Sequence, residues 1–215
     1  DMMIVGRFSQ ASEVSAVSTG SWIMQTITTA IVGLSMGTTI LLGRRIGEKQ
    51  PEEAGRVAGA GIWLFAWIGI VVTVVMQFLA VPAAGWMRAP MEAFDSTASY
   101  VRICSAGAVF IVAYNVMGSI FRGLGNSRIP LISVSIACLV NIAGDLLLVG
   151  ALGMASAGAA IATVFAQVVS VVLSFAIIRK QELPFVFDRK SIRWNRPLVR
   201  HIVELGFPIA FQYVL

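Results

Sequence analysis

The sequence predicts an all-α, polytopic transmembrane bundle, on three observations: its composition, the length of its apolar runs, and the uneven distribution of its positive charge. Hydrophobic residues make up 57% of the 215 and charged residues only 13%, and the mean hydropathy is +0.83, too little polar surface for a water-soluble fold. Apolar runs fall at 21–43, 57–81, 98–121, 130–152 and 157–178. Each is long enough to cross a hydrocarbon core of about 30 Å as a helix.

Taken in order, Asp1 to Val5 leads into Gly6-Arg7 and reads as the end of a first helix. The five runs are then helices two to six, each bounded by charged, Pro-containing or Gly-rich stretches. From Ile202 to Leu215 the chain turns apolar again, the start of a seventh. No basic segment followed by a small-residue cleavage site opens the chain, so the first helix is not read as a signal peptide.

Positive charge sets the expected orientation. Of sixteen Lys and Arg residues, thirteen fall in the connections after helices two, four and six: Arg44, Arg45, Lys49, Arg56, Arg122, Arg128, Arg179, Lys180, Arg189, Lys190, Arg193, Arg196 and Arg200. Arg7, Arg88 and Arg102 lie on the other side. The positive-inside rule therefore places the basic loops 44–56, 122–128 and 179–200 in the cytoplasm of a multi-pass plasma (inner) membrane protein. The same rule accounts for the net charge of +5 without nucleic acid, because the charges are scattered over separate loops with few interleaved aromatics. Arg193-Trp194 and the basic residues just before them also suit anionic head groups, although a positive-inside connection explains them by itself.

Nucleophile and metal chemistry find little support. Cys104 and Cys138 stand in different spans and the one histidine, His201, in the basic segment, so neither metal-ligand spacing nor a catalytic constellation is present. Gly43 to Lys49 lacks the spacing of a phosphate-binding loop. An enzyme is not expected, nor any cofactor beyond a transported ion.

Ionisable groups inside spans are the informative residues, since a carboxylate there costs about 2.5–3.5 kcal/mol unless paired or hydrated. Of eleven acidic residues only Asp145 lies in a complete span. At 1.5 Å per residue Asp1 sits about 9 Å inside the outer boundary, Asp145 about 12 Å and Thr163 about 9 Å. Asn141 is one turn from Asp145 on the same helix face, and Gln167 one turn from Thr163. Two carboxylates close together cannot both ionise comfortably, so the set suits an exchangeable proton. Two carboxylates, an amide and a hydroxyl equally suit Na⁺. Interhelical glue, at about 0.6 kcal/mol per polar pair, accounts for Asn141, Thr163 or Gln167 singly but not for a buried Asp145.

Small residues form the second pattern. Gly33-Leu34-Ser35-Met36-Gly37 is a GxxxG face, and 155–162 is almost entirely Gly, Ala and Ser, both suited to close helix packing. Met24, Met36, Met76, Met117, Phe110 and Phe121 suit an adaptable apolar cavity, although packing against lipid or neighbouring helices is the commoner use of such residues.

These stretches together resemble the multidrug and toxic compound extrusion (MATE) transporters. Asp1-Met2-Met3-Ile4-Val5-Gly6-Arg7 looks like that family's first-helix Asp and Gly exit, and Gly33 to Thr39 with Ile46-Gly47-Glu48-Lys49 like its second-helix signature. Phe121 to Pro130 is similar to its connection between helices four and five, Asn141-Ile142-Ala143-Gly144-Asp145 to its helix-five Asn-x-x-x-Asp, and Gly158 to Thr163 to its helix-six Gly-Ala-Ala-x-Ala-Thr. Gly206-Phe207-Pro208-Ile209 looks like the opening of its second half.

The resemblance implies the N-terminal six-helix lobe, 1–200, of a twelve-helix transporter with pseudo-twofold related halves, with 201–215 beginning helix seven and the second lobe. It implies a cation-coupling site at Asp1, Asn141, Asp145 and Thr163, with H⁺ or Na⁺ as coupling ion, and network or cargo contacts from Tyr100, Asn115 and Gln167. The implied activity is antiport of organic cations, with the bilayer and the second lobe as partners. A lipid-linked sugar flippase of the same superfamily would want a basic cavity rather than an acidic pocket, and a structural subunit would not need Asp145.

Overall fold

In a computed structural model the chain is described over residues 1–180 and 192–215 and, among these, is helical with no strand. Residues 181–191 of the basic segment 179–200 lie outside the described residues.

Helix α1 (Met2–Phe8) begins after Asp1 and ends at Ser9, whose backbone is extended. Helix α2 (Ala11–Gly47) has 37 residues, about 55 Å at 1.5 Å each, so it runs well beyond the apolar run 21–43. It stops where Lys49 takes a left-handed φ of 57°. There Glu48 binds Arg44 at 2.8 Å and Arg45 at 2.9 Å, and the hydrogen bond from Arg44 holds the Glu48 carboxyl below its ordinary range. Helix α3 (Pro51–Trp86) opens on proline, whose fixed φ and missing N–H suit a first helical position, with Glu52 and Glu53 in the first turn.

The run 98–121, expected as one span, is a bent pair. A short 3₁₀ turn, Met91–Ala93, leads into α4 (Phe94–Ala106), and α5 (Ala108–Gly123) follows after a bend of 52°. Gly107 sits at the break, its N–H reaching the Cys104 carbonyl at 3.1 Å, and a Cβ there would collide with the side chain of Val164. Helix α6 (Arg128–Asp145) changes to a π turn, Leu146–Ala151, directly after Asp145, with Leu152 N donating to Leu147 O at 3.0 Å. Helices α7 (Ala155–Lys180) and α8 (Arg196–Val214) complete the chain. Among the described residues four helices are long and apolar enough to cross a membrane, and the bent pair, taken as one span, is a fifth.

The chain divides into two compact units. The first comprises Asp1–Ile27, Ile70–Ile111 and Ser135–Ser170. Its core gathers Val5, Val17, Ile23, Met24, Met76, Tyr100, Val101, Cys104 and Val149, so Met24 and Met76 are core packing. Cys104 is buried with them, whereas Cys138 is exposed.

The second unit comprises Thr28–Gly69, Val112–Val134 and Val171–Leu215. Within it Phe65 and Phe121 are fully buried, and the GxxxG face of α2 packs directly on α8. A Cβ on Gly37 would strike the Ile202 carbonyl oxygen and lie 2.9 Å from Gly206 N, while one on Gly206 would strike the Leu34 carbonyl. Backbone cannot yield as a flexible side chain does. Gly37→Ala is therefore expected to destabilise the protein by about 1–3 kcal/mol, read as a lowered melting temperature. Gly85→Ala, where nothing lies within 4 Å of the new Cβ, should leave stability unchanged or raise it by up to about 1 kcal/mol as a helical glycine is replaced; a loss equal to that of Gly37→Ala would refute the close-crossing account.

Candidate functional site

The site lies in the first unit and is built by α1, α6 and α7. Asp1 caps the start of α1, which packs against the π turn that follows Asp145. Gly150 of that turn faces the Phe8 ring at a distance that would still admit a Cβ in ordinary contact, 3.5 Å away. Asp145 is the last residue of α6 proper, on the face turned inward, with its side chain fully buried.

Helices α6 and α7 approach through small residues. A Cβ on Gly144 would lie 2.9 Å from Ala162 Cβ, and one on Gly158 3.2 Å from the Leu148 backbone. Each clash is avoided only because these positions are glycine, so the Thr163 hydroxyl reaches the residues of α6 directly.

The result is a short chain of hydrogen bonds. Asn141 Nδ2 donates to Thr163 Oγ1 at 3.3 Å, and Thr163 Oγ1 donates to Asp1 Oδ2 at 3.1 Å. Asp145 stands beside this chain rather than in it. Both its carboxylate oxygens are buried with no hydrogen-bond partner of good geometry among the described residues, and the nearest donor is the main-chain nitrogen of Asp1, 3.2 Å from Oδ2. A buried carboxylate with open lone pairs is costly, and it is also able to accept a cation or a proton.

Tyr100 adjoins the cluster from α4. Its hydroxyl lies 3.2 Å from Ser21 Oγ and within reach of Thr163 and Cys104. Gln167 is one turn further along α7, its Oε1 buried and without a partner among the described residues. Asn115 belongs to the second unit, where its main-chain carbonyl oxygen lies 3.0 Å from Ser119 Oγ. Thr163→Val preserves shape but removes the hydroxyl joining Asn141 to Asp1. The two groups left unpaired should lower stability by about 1–3 kcal/mol, measurable by thermal melting; an unchanged melting temperature would mean the chain is not formed.

Two polar clusters escaped the sequence reading. Glu13, outside any apolar run, accepts from Ser96 Oγ at 2.8 Å and from Ser156 N at 3.1 Å, tying α2, α4 and the start of α7. In the second unit Arg122 donates to Ser119 Oγ at 3.0 Å, Ser119 to Ser35 Oγ at 2.7 Å, and Thr39 to the Ser119 carbonyl at 3.0 Å. Most of these pairs join residues 80 or more positions apart, which leaves no local signature. Among the described residues no group of three or more His, Cys, Asp or Glu side chains gathers as a metal centre would require.

The sequence model of the MatE family matches residues 1–147. The chain belongs to the MatE family. It is 26% identical to the protein named "Probable multidrug resistance protein YoeA" of Bacillus subtilis, over all of this chain and 48% of that one. Its fold matches an outward-facing multidrug resistance MATE family transporter of the MOP superfamily with a TM-score of 0.90 and 25% identity, over 99% of this chain and 47% of the other. An inward-facing form matches with a TM-score of 0.88 and 26% identity, over 94% and 46%. The chain thus spans about half the length of the relatives it matches. MatE proteins are multi-pass membrane transporters rather than enzymes, in keeping with the apolar helices of this chain.

Proposed function

We propose that this chain is the first lobe of a secondary active multidrug exporter that moves organic cations outward in exchange for H⁺ or Na⁺, and that Asp1, Asn141, Asp145 and Thr163 take the coupling ion. One observation carries the reading: a fully buried carboxylate, Asp145, whose two oxygens lack hydrogen bonds, beside a second carboxylate already held by Thr163. The donor set offers carboxylate, amide and hydroxyl oxygen to Na⁺, or a carboxylate to a proton.

The ion acts through charge. Its arrival at Asp145 removes the penalty of a buried, poorly satisfied anion and lets α1, α6 and α7 draw together; its departure restores the repulsion between Asp1 and Asp145. An ion with this preference biases the transporter toward the state that binds it better, and a difference of about 5.5 kcal/mol carries a 1:99 population to 99:1. The nearly equal match to outward-facing and inward-facing relatives supports a rocking motion in which this lobe keeps its own packing while a second lobe moves against it. The basic loops 44–56, 122–128 and 179–200 would face the cytoplasm of the plasma membrane.

The test is dye efflux by the full-length protein in proteoliposomes, under an imposed pH gradient and separately under a Na⁺ gradient. Efflux driven by one gradient and indifferent to the other identifies the ion. Transport indifferent to both would overturn the antiport reading.

A further inference from the structure

We propose that the basic turn leading into α8 is a binding site for the phosphodiester head group of an anionic phospholipid. Trp194, immediately before this turn, packs its ring on Trp63 of α3 with centroids 4.7 Å apart, and Trp63 packs in turn on Trp67 at 5.8 Å. The indoles pin the turn to a membrane-crossing helix at a definite depth: Trp63 is seven residues, about 10 Å, beyond Arg56, the last charged residue of α3. Trp63 thus stands in the first turns of the apolar run on the side of the basic loops, toward the end of the span where tryptophan concentrates. Trp194 and Trp67 each remain 53% exposed, as rings bathed in lipid would be.

Beside this anchor the first turns of α8 form a cleft of about 420 Å³ lined by Arg196, Pro197, Arg200, His201 and Glu204. Glu204 is the one acid there. It binds Arg200 at 2.7 Å, with His201 3.9 Å away. Among the described residues Arg193 and Arg196 have no carboxylate partner, and the first turn of α8 carries no acid. Helix stability does not explain this arrangement, because a cation at the positive end of a helix dipole is unfavourable. Two guanidinium groups that flank an indole in the sequence, one of them lining the cleft, match a phosphodiester, which arginine binds with paired hydrogen bonds.

The experiment measures the preference of the full-length protein for phosphatidylglycerol over phosphatidylcholine of the same chain length, as lipid retained in native mass spectrometry and as thermal stabilisation. Arg193→Gln/Arg196→Gln is expected to reduce the preference roughly thirtyfold, at the usual contribution of two arginines near a membrane surface. Trp194→Ala should weaken retention of phosphatidylglycerol without removing a charge. Arg88→Gln/Arg102→Gln removes the same charge from two exposed positions elsewhere and should leave the preference intact. An unchanged preference in the first variant, an equal loss in the Arg88/Arg102 control, or displacement of the lipid by millimolar inorganic phosphate would each overturn the proposal. None of these readouts depends on cargo or coupling ion, so they stand apart from the transport test.

Discussion

Replacing Asp145 by Asn is expected to reduce gradient-driven efflux at least tenfold while raising the melting temperature. The two effects have one cause. Asp145 is fully buried and, apart from the Asp1 main-chain nitrogen 3.2 Å from Oδ2, its oxygens have no partner among the described residues, so as an anion it carries an electrostatic penalty that this one contact offsets only in part. An amide of the same shape removes that penalty, and a gain of about 1–3 kcal/mol is the expected scale for neutralising a poorly satisfied buried charge. A residue kept for packing would behave the other way, losing stability on substitution and leaving transport untouched. Efflux by the full-length protein, measured under whichever gradient drives the wild type, decides the matter: wild-type rates from Asp145→Asn would remove the carboxylate from the coupling site, whatever the melting curve shows.

Much of the architecture could be read from the chain. The five apolar runs appear as helices because a bilayer core allows few other solutions, and the rise per residue alone puts Asp1, Asp145 and Thr163 at neighbouring depths. Asn141, one turn from Asp145, follows from helical periodicity alone.

What could not be read depends on contacts between helices. The bend at Gly107 answers the side chain of Val164, which lies far along the sequence. The π turn after Asp145 re-aims that residue against α1, and a run of Leu, Val, Gly and Ala gives no warning of it. Glu13 carries no mark in the sequence because its partners, Ser96 and Ser156, sit on other helices. Asn115 shows the same limit in reverse: a polar residue in an apolar run carries no mark of which neighbours it will meet, and it falls in the second unit near Ser119.

Gly144 offers the second large effect, because it acts on the same site through space rather than charge. A Cβ at this position would lie 2.9 Å from Ala162 Cβ and 3.4 Å from Ala162 Cα, so a leucine must push α6 and α7 apart. The 3.3 Å bond from Asn141 to Thr163 is the first contact to break, and with it the link to Asp1. Gly144→Leu is expected to abolish efflux as Asp145→Asn does, but with stability lowered by about 1–3 kcal/mol. Loss of transport with opposite changes in stability separates a damaged frame from a missing charge. Moving the methyl group across the interface supplies the decisive control: Gly144→Ala should impair efflux, and Ala162→Gly added to it should restore room and function together, less the penalty of about 1 kcal/mol for glycine within a helix. Additive losses in the double variant would mean that the two residues do not share this contact, and that the close approach of α6 and α7 is not what holds Thr163 at the site.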